Sequence, residues 1–504
     1  MNSLSVVQKG QAVLSVRGRI RRHLARAIGL TIVATVLMCA AAGTIVPGHI
    51  PDRANAVVPS RPNILLIVTD DQKYGTVTPS IMPNVYRELS QRGVTFDNGF
   101  VSNSWCCPSR ASILSGQYSG HNGVWTSGGA LGLTAWRRHE TTTLATWLHG
   151  AGYRTAIIGK YLNGYGARAS MTYWPPGWDV TDIIMNIDYH GHDGYYDYDT
   201  FQNGKIVHYG SQPEDYSTRV FTQRARQFFA ADPKDRYPKF AYLAYPSPHG
   251  PYTIDPLDTN SLTGFHTTMP PNVCEADVSD KPLWIRQQPA CSETDNQYST
   301  HLLGQLRMLQ SVDRGLGQLF SDLTATGQIR NTIIIYISDN GWLLKAHRMT
   351  GKELPYEESI RVPLFLRWDA IGHAGQHIPG FAVNIDLAPT ITDATGITGH
   401  DAYDGVSLLP LITGAANSWR SDFLVEHMQL SDLDKGGPSF CAIRNQRYLW
   451  AEYSTGEKEL YDLSNDPWQL HNIASTATSE LRTTLHQRLT SLCNPPPPNM
   501  TVSK

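Results

Sequence analysis

Ile64-Leu65-Leu66-Ile67-Val68-Thr69-Asp70-Asp71 is an unbroken apolar run that ends in two acids. A strand with one wet face alternates apolar and polar side chains. A short run without alternation therefore reads as a strand covered on both faces, the kind a parallel sheet uses. The same event recurs downstream. Thr155 to Ile158 ends in Gly159-Lys160, Phe240 to Tyr245 leads to Pro248-His249, and Thr332 to Ile337 ends in Ser338-Asp339-Asn340-Gly341. Helical patterns lie between the runs: Thr143 to His149, closed by Gly150, and a long one from His301 to about Thr326, closed by Gly327. Strands alternating with helices predict an α/β fold with a large, mostly parallel central sheet. Ligands of such sheets bind beyond the carboxyl ends of the strands. Each of the four runs delivers charged or imidazole groups to that edge, so residues far apart in sequence are expected to converge there.

A second region begins near Glu426. Tyr448 to Tyr453 and Glu459 to Leu463 read as two strands and Ser479 to Leu492 as a helix, which predicts a small C-terminal α+β subdomain. The expected organisation is a main domain over residues 57–425, a subdomain over 426–494 and a Pro-rich tail over 495–504. Residues 252–300 carry little periodicity and read as a long surface insertion near the site.

The first 26 residues hold six basic side chains and no acid, and an apolar run follows from Ala27 to Val46. That order fits an export signal over residues 1–56, with Ala54-Asn55-Ala56 as a cleavage site. An uncleaved anchor through residues 27–46 is the alternative, and the only membrane association expected. A lipid anchor on Cys39 fits less well, because Met38 is bulky. The chain is thus expected to be secreted, periplasmic or at the cell surface. Removing residues 1–56 takes away seven basic residues and one acidic residue, moving the net charge from −2 to −8. A body of that sign argues against nucleic acid as a partner. Cys274, Cys291, Cys441 and Cys493 are compatible with two disulfides; three pairings are possible, and proximity favours Cys274 with Cys291 and Cys441 with Cys493.

Cys106-Cys107-Pro108-Ser109-Arg110-Ala111-Ser112-Ile113-Leu114-Ser115-Gly116 is the most specific segment. Pro108 fits the first turn of a helix, whose exposed amides favour an anion, and a cysteine there is expected to have a lowered pKa. Arg110 adds a permanent charge. Asp70, Asp71, Asp339 and Asn340 offer only oxygen donors, which suits Ca²⁺, or less well Mg²⁺, rather than zinc.

The cysteine segment resembles the signature of the formylglycine-dependent sulfatases, members of the alkaline-phosphatase-like superfamily. Gly159-Lys160-Tyr161-Leu162-Asn163, Arg361-Val362-Pro363-Leu364 and Leu460-Tyr461-Asp462-Leu463-Ser464-Asn465-Asp466-Pro467 extend the resemblance over most of residues 61–475, and it looks nearest to the N-acetylglucosamine-6-sulfatase branch. The resemblance implies an alkaline-phosphatase-like sandwich and a sulfate ester substrate, either a 6-O-sulfated amino sugar or an aryl sulfate. It implies that a formylglycine-generating enzyme converts Cys106 to formylglycine, with Cys107 at the variable position. Ca²⁺ would be held by Asp70, Asp71, Asp339 and Asn340 together with position 106. Lys160 and Lys352 would neutralise the sulfate oxygens, and His249 would serve the leaving oxygen. Many arylsulfatases carry a histidine where this chain has Leu162, which leaves Asn163 as the expected substitute donor. His347 is a further candidate for the pocket, with a capping or surface role as its alternative. Aromatics of Tyr189 to Tyr198 and of the 252–300 insertion are expected to stack on a sugar or aryl ring. Two rival readings are a phosphate or phosphonate ester hydrolase on the same scaffold and, if Cys106 stays unmodified, a non-enzymatic binder of sulfated glycans.

Overall fold

The computed structural model describes residues 61–166, 173–185, 194–230, 236–291, 296–398, 402–430 and 436–502. The expected export signal, Cys39, and residues 189–193 of the aromatic loop lie outside them.

Ten strands form the main sheet: β1 Asn63–Thr69, β2 Val94–Phe100, β3 Arg154–Gly159, β4 Val180–Ile184, β5 Tyr198–Gln202, β6 Lys205–Tyr209, β7 Lys239–Ala244, β8 Thr332–Ser338, β9 Leu364–Arg367 and β10 Gln376–Val383. Their order is β10-β2-β9-β8-β1-β7-β3-β4-β5-β6. The four apolar runs are the adjacent strands β8, β1, β7 and β3, all parallel to their neighbours within that group. The unbroken pattern has its cause here. Leu66 and Val68 face one core layer while Leu65 and Ile67 face another, so from Ile64 to Thr69 no position on β1 meets water. In β8, Ile333, Ile334, Ile335 and Ile337 are all buried, each contributing ~2 kcal/mol of apolar burial. The helices Ser217–Ala230 and Gln297–Ala325 cover one face of the sheet, and Cys106–Ser115 and Leu387–Thr395 pack into the core on the other.

Register decides where the site falls. Thr69 pairs with Ser338, Val68 with Ala244, and Ala244 with Gly159, so β1, β8, β7 and β3 end level with one another. Their next residues, Asp70, Asp339, Tyr245 and Lys160, therefore meet at one edge. The outer strands carry weaker signals. β2 is half exposed, and β10 holds Pro379 at a register shift between Ile378 and Phe381, a position a sheet edge tolerates.

A second, antiparallel sheet runs β11 Asp422–His427, β12 Phe440–Asn445, β13 Tyr448–Tyr453 and β14 Lys458–Asp462, packed by the helix Ser479–Leu492. It holds two more strands than the two read from the sequence, and its first strand opens at Asp422. Cys274 is bonded to Cys291 and Cys441 to Cys493, with Cα separations of 5.5 and 6.3 Å, while Cys106 and Cys107 are buried free thiols. Among the described residues no helix is long and apolar enough to cross a membrane.

Candidate active site

Cys106 opens the helix Cys106–Ser115 as its first residue, and Pro108 sits in the first turn, where its missing N–H costs nothing. The helix is buried along its whole length and ends at Gly116 in the left-handed conformation. It points its N-terminus at the level edge of the sheet. There Cys106 Sγ lies 3.5 Å from Asp70 Oδ1 and 2.9 Å from Lys352 Nζ.

The cations and anions of the expected set interlock. Lys160 Nζ is 2.5 Å from Asp70 Oδ2, and Lys352 Nζ also pairs with Asp71 Oδ1. Arg110 donates from Nε to Asp339 Oδ2 at 2.8 Å and from Nη1 to the Lys160 carbonyl at 2.8 Å. Asn340 Nδ2 donates to Asp71 Oδ1 at 2.6 Å. Backbone geometry turns these side chains inward. Gly159 leaves β3 with φ +99°, where an added Cβ would stand 2.0 Å from the Ala244 carbonyl oxygen, and this sharp exit lets the Lys160 N–H reach that oxygen at 2.7 Å. Asp71 also sits at a left-handed φ of 63°, its N–H donating to Asp339 Oδ1 at 3.2 Å.

Almost nothing here is wet. Asp70, Asp71, Cys106, Arg110, Lys160, Asp339 and Asn340 are 0–2 % exposed and Lys352 8 %, whereas the side chain of His249 is 26 % exposed. His249 Nε2 stands 3.5 Å from Asp71 Oδ2, and Nδ1 faces the Gly250 carbonyl at 2.5 Å. The histidine thus occupies the mouth of an otherwise closed charge cluster, where a ligand group entering from solvent would meet it.

Burial works against every charge in the cluster, and the partners decide each outcome. It would raise the Asp70 carboxyl, but Lys160 first, then His249, Arg110 and Lys352, hold it far below the usual carboxylate range. Asp339 goes the other way, pushed up by burial and then by the charge of Asp70. Burial would lower the Lys352 ammonium, yet Asp71, Cys106, Asp70 and Asp339 raise it well above its ordinary value. For the Cys106 thiol the expected lowering is overturned. Burial and the Asp70 carboxylate drive its pKa well up, outweighing Lys160 and Lys352. The helix N-terminus alone does not make it an anion.

The residues present fit a hard divalent cation. Asp70, Cys106 and Asp339 can bring one ligand atom each within 4.8 Å of one another, as can Asp70, Asp71 and His249. Asp71 Oδ2 and Asn340 Oδ1 are buried oxygens that accept no hydrogen bond, a costly state that a cation would relieve. Oxygen predominates among these donors, which favours Ca²⁺ or Mg²⁺ over zinc.

Two expectations change, those for His347 and for the aromatic loop. Asn163 donates its backbone N–H to Cys107 Sγ at 3.0 Å, so its visible tie is to the neighbour of Cys106. Leu162 is packed in the core. His347 is neither in the pocket nor at the surface. It is fully buried, with Nδ1 2.6 Å from Glu275 Oε2 and its ring stacked on Tyr356. In the aromatic loop, Tyr195 and Tyr198 are buried, and the single Tyr195 OH donor lies 2.6 Å from the His249 carbonyl and 2.9 Å from the Pro246 carbonyl. It therefore holds the His249 turn rather than offering a face to a sugar. Trp342, which sequence reading passed over, lies with its ring centroid 6.4 Å from that of His249 and 5.6 Å from Lys352 Nζ. Its place directly after Asp339-Asn340-Gly341 was the available signal.

Similarity to known proteins agrees with this geometry. The family model described as Sulfatase matches residues 62–397, and that described as N-sulphoglucosamine sulphohydrolase, C-terminal, matches residues 346–494. The chain is 33% identical over 384 residues to an extracellular sulfatase SULF-1 homolog of Drosophila melanogaster, a match covering 74% of this chain and 34% of that protein. It is 32% identical over 481 residues to the N-acetylglucosamine-6-sulfatase of Homo sapiens, covering 86% of this chain and 84% of that one. It thus spans about a third of the fly relative's length and most of the human relative's. A structure solved in complex with its substrate D-glucosamine-2-N,6-O-disulfate shares the fold, with a TM-score of 0.73 and 24% identity over 86% of this chain and 98% of that one. With the Cys106 segment at the strand edge and a family match over two thirds of its length, the chain belongs to the sulfatase family.

Proposed function

We propose that this chain is an exported sulfatase that hydrolyses a sulfate monoester, with a nucleophile made from Cys106 by a formylglycine-generating enzyme. The observation that carries the reading is the convergence on Cys106 of three buried cations and four oxygen-donor residues beneath a single partly exposed histidine. Oxidised to the formylglycine aldehyde and hydrated by one water to the geminal diol, position 106 would supply a hydroxyl nucleophile in place of the thiol.

Asp70, Asp71, Asp339 and Asn340, with position 106, would hold Ca²⁺, whose charge polarises a sulfate oxygen when bound. The chain's own groups do the rest. Lys160 and Lys352 flank Cys106 and balance negative charge on the sulfate oxygens, preorganised because their partners already fix them. Arg110 keeps Asp70 and Asp339 together and at the right depth. His249, at the mouth of the cluster, would donate a proton from Nε2 to the leaving ester oxygen, with Nδ1 oriented by the Gly250 carbonyl. Burial of the cluster excludes water from the developing charge.

The human and fly relatives are named as sulfatases, the human one for a 6-sulfated amino sugar, and the fold neighbour was solved with a 6-O-sulfated amino sugar. They support a 6-O-sulfated amino sugar as the substrate class, with aryl sulfates as surrogates. The test has two parts. Protein from its native host is analysed by mass at the Cys106 peptide, where loss of the thiol sulfur and gain of an aldehyde are expected. The same protein is assayed on 6-O-sulfated N-acetylglucosamine, an aryl sulfate, choline sulfate and a phosphodiester. A plain cysteine at 106, or turnover of the phosphodiester alone, would overturn the proposal.

A further inference from the structure

The loop that carries Lys352 is wound against its own preferences. Leu344 (φ 47°), Lys345 (72°), His347 (51°), Arg348 (63°) and Glu353 (74°) are all non-glycine residues in the left-handed region, with Gly351 (106°) among them. L-residues avoid that conformation because Cβ crowds the following carbonyl, and a cluster of such residues persists only where surrounding structure over-determines it. Something outside the loop must hold it.

The holding element is the strap around residues 272–276. Cys274 donates its N–H to the Lys345 carbonyl at 2.9 Å, and His347 donates its own to the Asn272 carbonyl at 2.7 Å. The strap then grips side chains. His347 Nδ1 lies 2.6 Å from Glu275 Oε2, with the imidazole stacked on Tyr356 at 4.1 Å between centroids. Arg348 donates from Nε to the Glu275 carbonyl at 2.8 Å and from Nη2 to the Ala276 carbonyl at 2.6 Å. Glu275 is also fixed from behind by Lys281 Nζ at 3.2 Å, and the strap itself is fastened by the Cys274–Cys291 disulfide. Both Glu275 and His347 are buried, so their bond is not exchanged for water.

Five residues after His347 the loop delivers Lys352 Nζ to Cys106 Sγ at 2.9 Å and to Asp71. An ammonium on a four-carbon stem is easily misplaced, and a charge that must meet a developing anion loses much of its effect if displaced by about 1 Å. We infer that the Glu275–His347 pair is the positioning device for Lys352: it holds a strained loop in the one conformation that aims the lysine at position 106. The inference rests on the sulfatase reading only for what Lys352 does. Its geometric content, that Glu275 and His347 act on anion binding through Lys352, stands apart from turnover.

The experiment is a double-mutant cycle on metal-loaded full-length protein, read by calorimetric binding of inorganic sulfate and by kcat and KM on an aryl sulfate. Glu275→Gln, and separately His347→Phe, which keeps the stacking ring, are each combined with Lys352→Ala. Either single change is expected to weaken sulfate binding about 5- to 50-fold, and to raise KM for the aryl sulfate with a loss in kcat/KM of about 10- to 100-fold. Added to Lys352→Ala, neither should cost anything further, because the group they position is gone. A second route avoids substitution inside the clamp: Cys274→Ala/Cys291→Ala should show the same loss and the same silence in the Lys352→Ala background. Additive losses in the cycle, or wild-type sulfate affinity in both clamp variants, would overturn the inference. Failure of the wild-type protein to cleave any sulfate ester would instead sink the sulfatase reading, and the sulfate-binding cycle would still decide this one.

Discussion

Arg110 Nε meets Asp339 Oδ2 at 2.8 Å, while Nη2 of the same guanidinium lies 3.5 Å from Asp70 Oδ2, with all three side chains closed to solvent. One fork therefore ties the ends of β8 and β1 together, and through the Lys160 carbonyl it reaches β3 as well. Removing one partner of such a buried set leaves uncompensated charge, which costs ~3–5 kcal/mol. Arg110→Ala is expected to lose that much stability in urea unfolding of the metal-free protein, and Arg110→Lys a substantial part, because an ammonium cannot reach three strand ends in one plane. A variant within about 1 kcal/mol of wild type, the scale of an exposed pair, would show that the fork holds nothing together.

Asp339 carries a second expectation. Asp339→Ala deletes a proposed cation ligand and an Arg110 partner together. Calcium measured by mass spectrometry of the metal content and hydrolysis of an aryl sulfate should both disappear. Asp339→Asn, nearly isosteric, should keep the fold and still bind calcium at least about tenfold more weakly. Full calcium in an active Asp339→Ala protein would remove this residue from the site.

The partly exposed His249 makes a prediction about leaving groups. A poor leaving group needs its oxygen protonated as the bond breaks, and a good one does not. His249→Ala should therefore cut kcat/KM for an alkyl or sugar sulfate by about 10²- to 10⁴-fold and for a nitrophenyl sulfate by far less. Equal losses on both would point to a binding role instead.

Glu140 gives the stability a pH dependence. Its buried carboxyl, accepting from Tyr161 OH at 2.9 Å, is pushed up to about 7 by burial, against an ordinary value of 4.5. The unfolded chain releases this proton near 4.5 while the fold keeps it to about 7, so the group costs stability progressively as pH rises between those values. His427, buried with neither ring nitrogen bonded, does the reverse. Burial lowers it to about 3 from 6.5, so stability is lost as pH falls through that window. Glu140→Gln should raise the melting temperature at pH 8 but not at pH 4.5, and His427→Phe at pH 4.5 but not at pH 8. Identical shifts at both pH values would show that neither group titrates as its burial implies.

The sequence by itself determined the centre of this molecule. β1, β3, β7 and β8 were legible because strands buried on both faces must be apolar throughout, and Asp70, Lys160 and Asp339 because each comes directly after such a run. Cys106 and Arg110 were legible because the whole segment from Cys106 to Gly116 resembles a family signature. The outer strands β4, β5 and β6, and β11 and β12 of the second sheet, were not: β4 to β6 are short and β6 is largely exposed, while β11 and β12 break their apolar runs with Asp422, Glu426 and Arg444. Tertiary structure alone decided the rest. Level strand ends turned four separate motifs into one cluster, and burial reversed the expected pKa of Cys106. His347 and Tyr195, which read as pocket residues, became the supports of Lys352 and His249. Local sequence specifies a strand and the residue at its end, but desolvation and partnership depend on which distant segments share the space, and that is fixed only when the chain closes on itself.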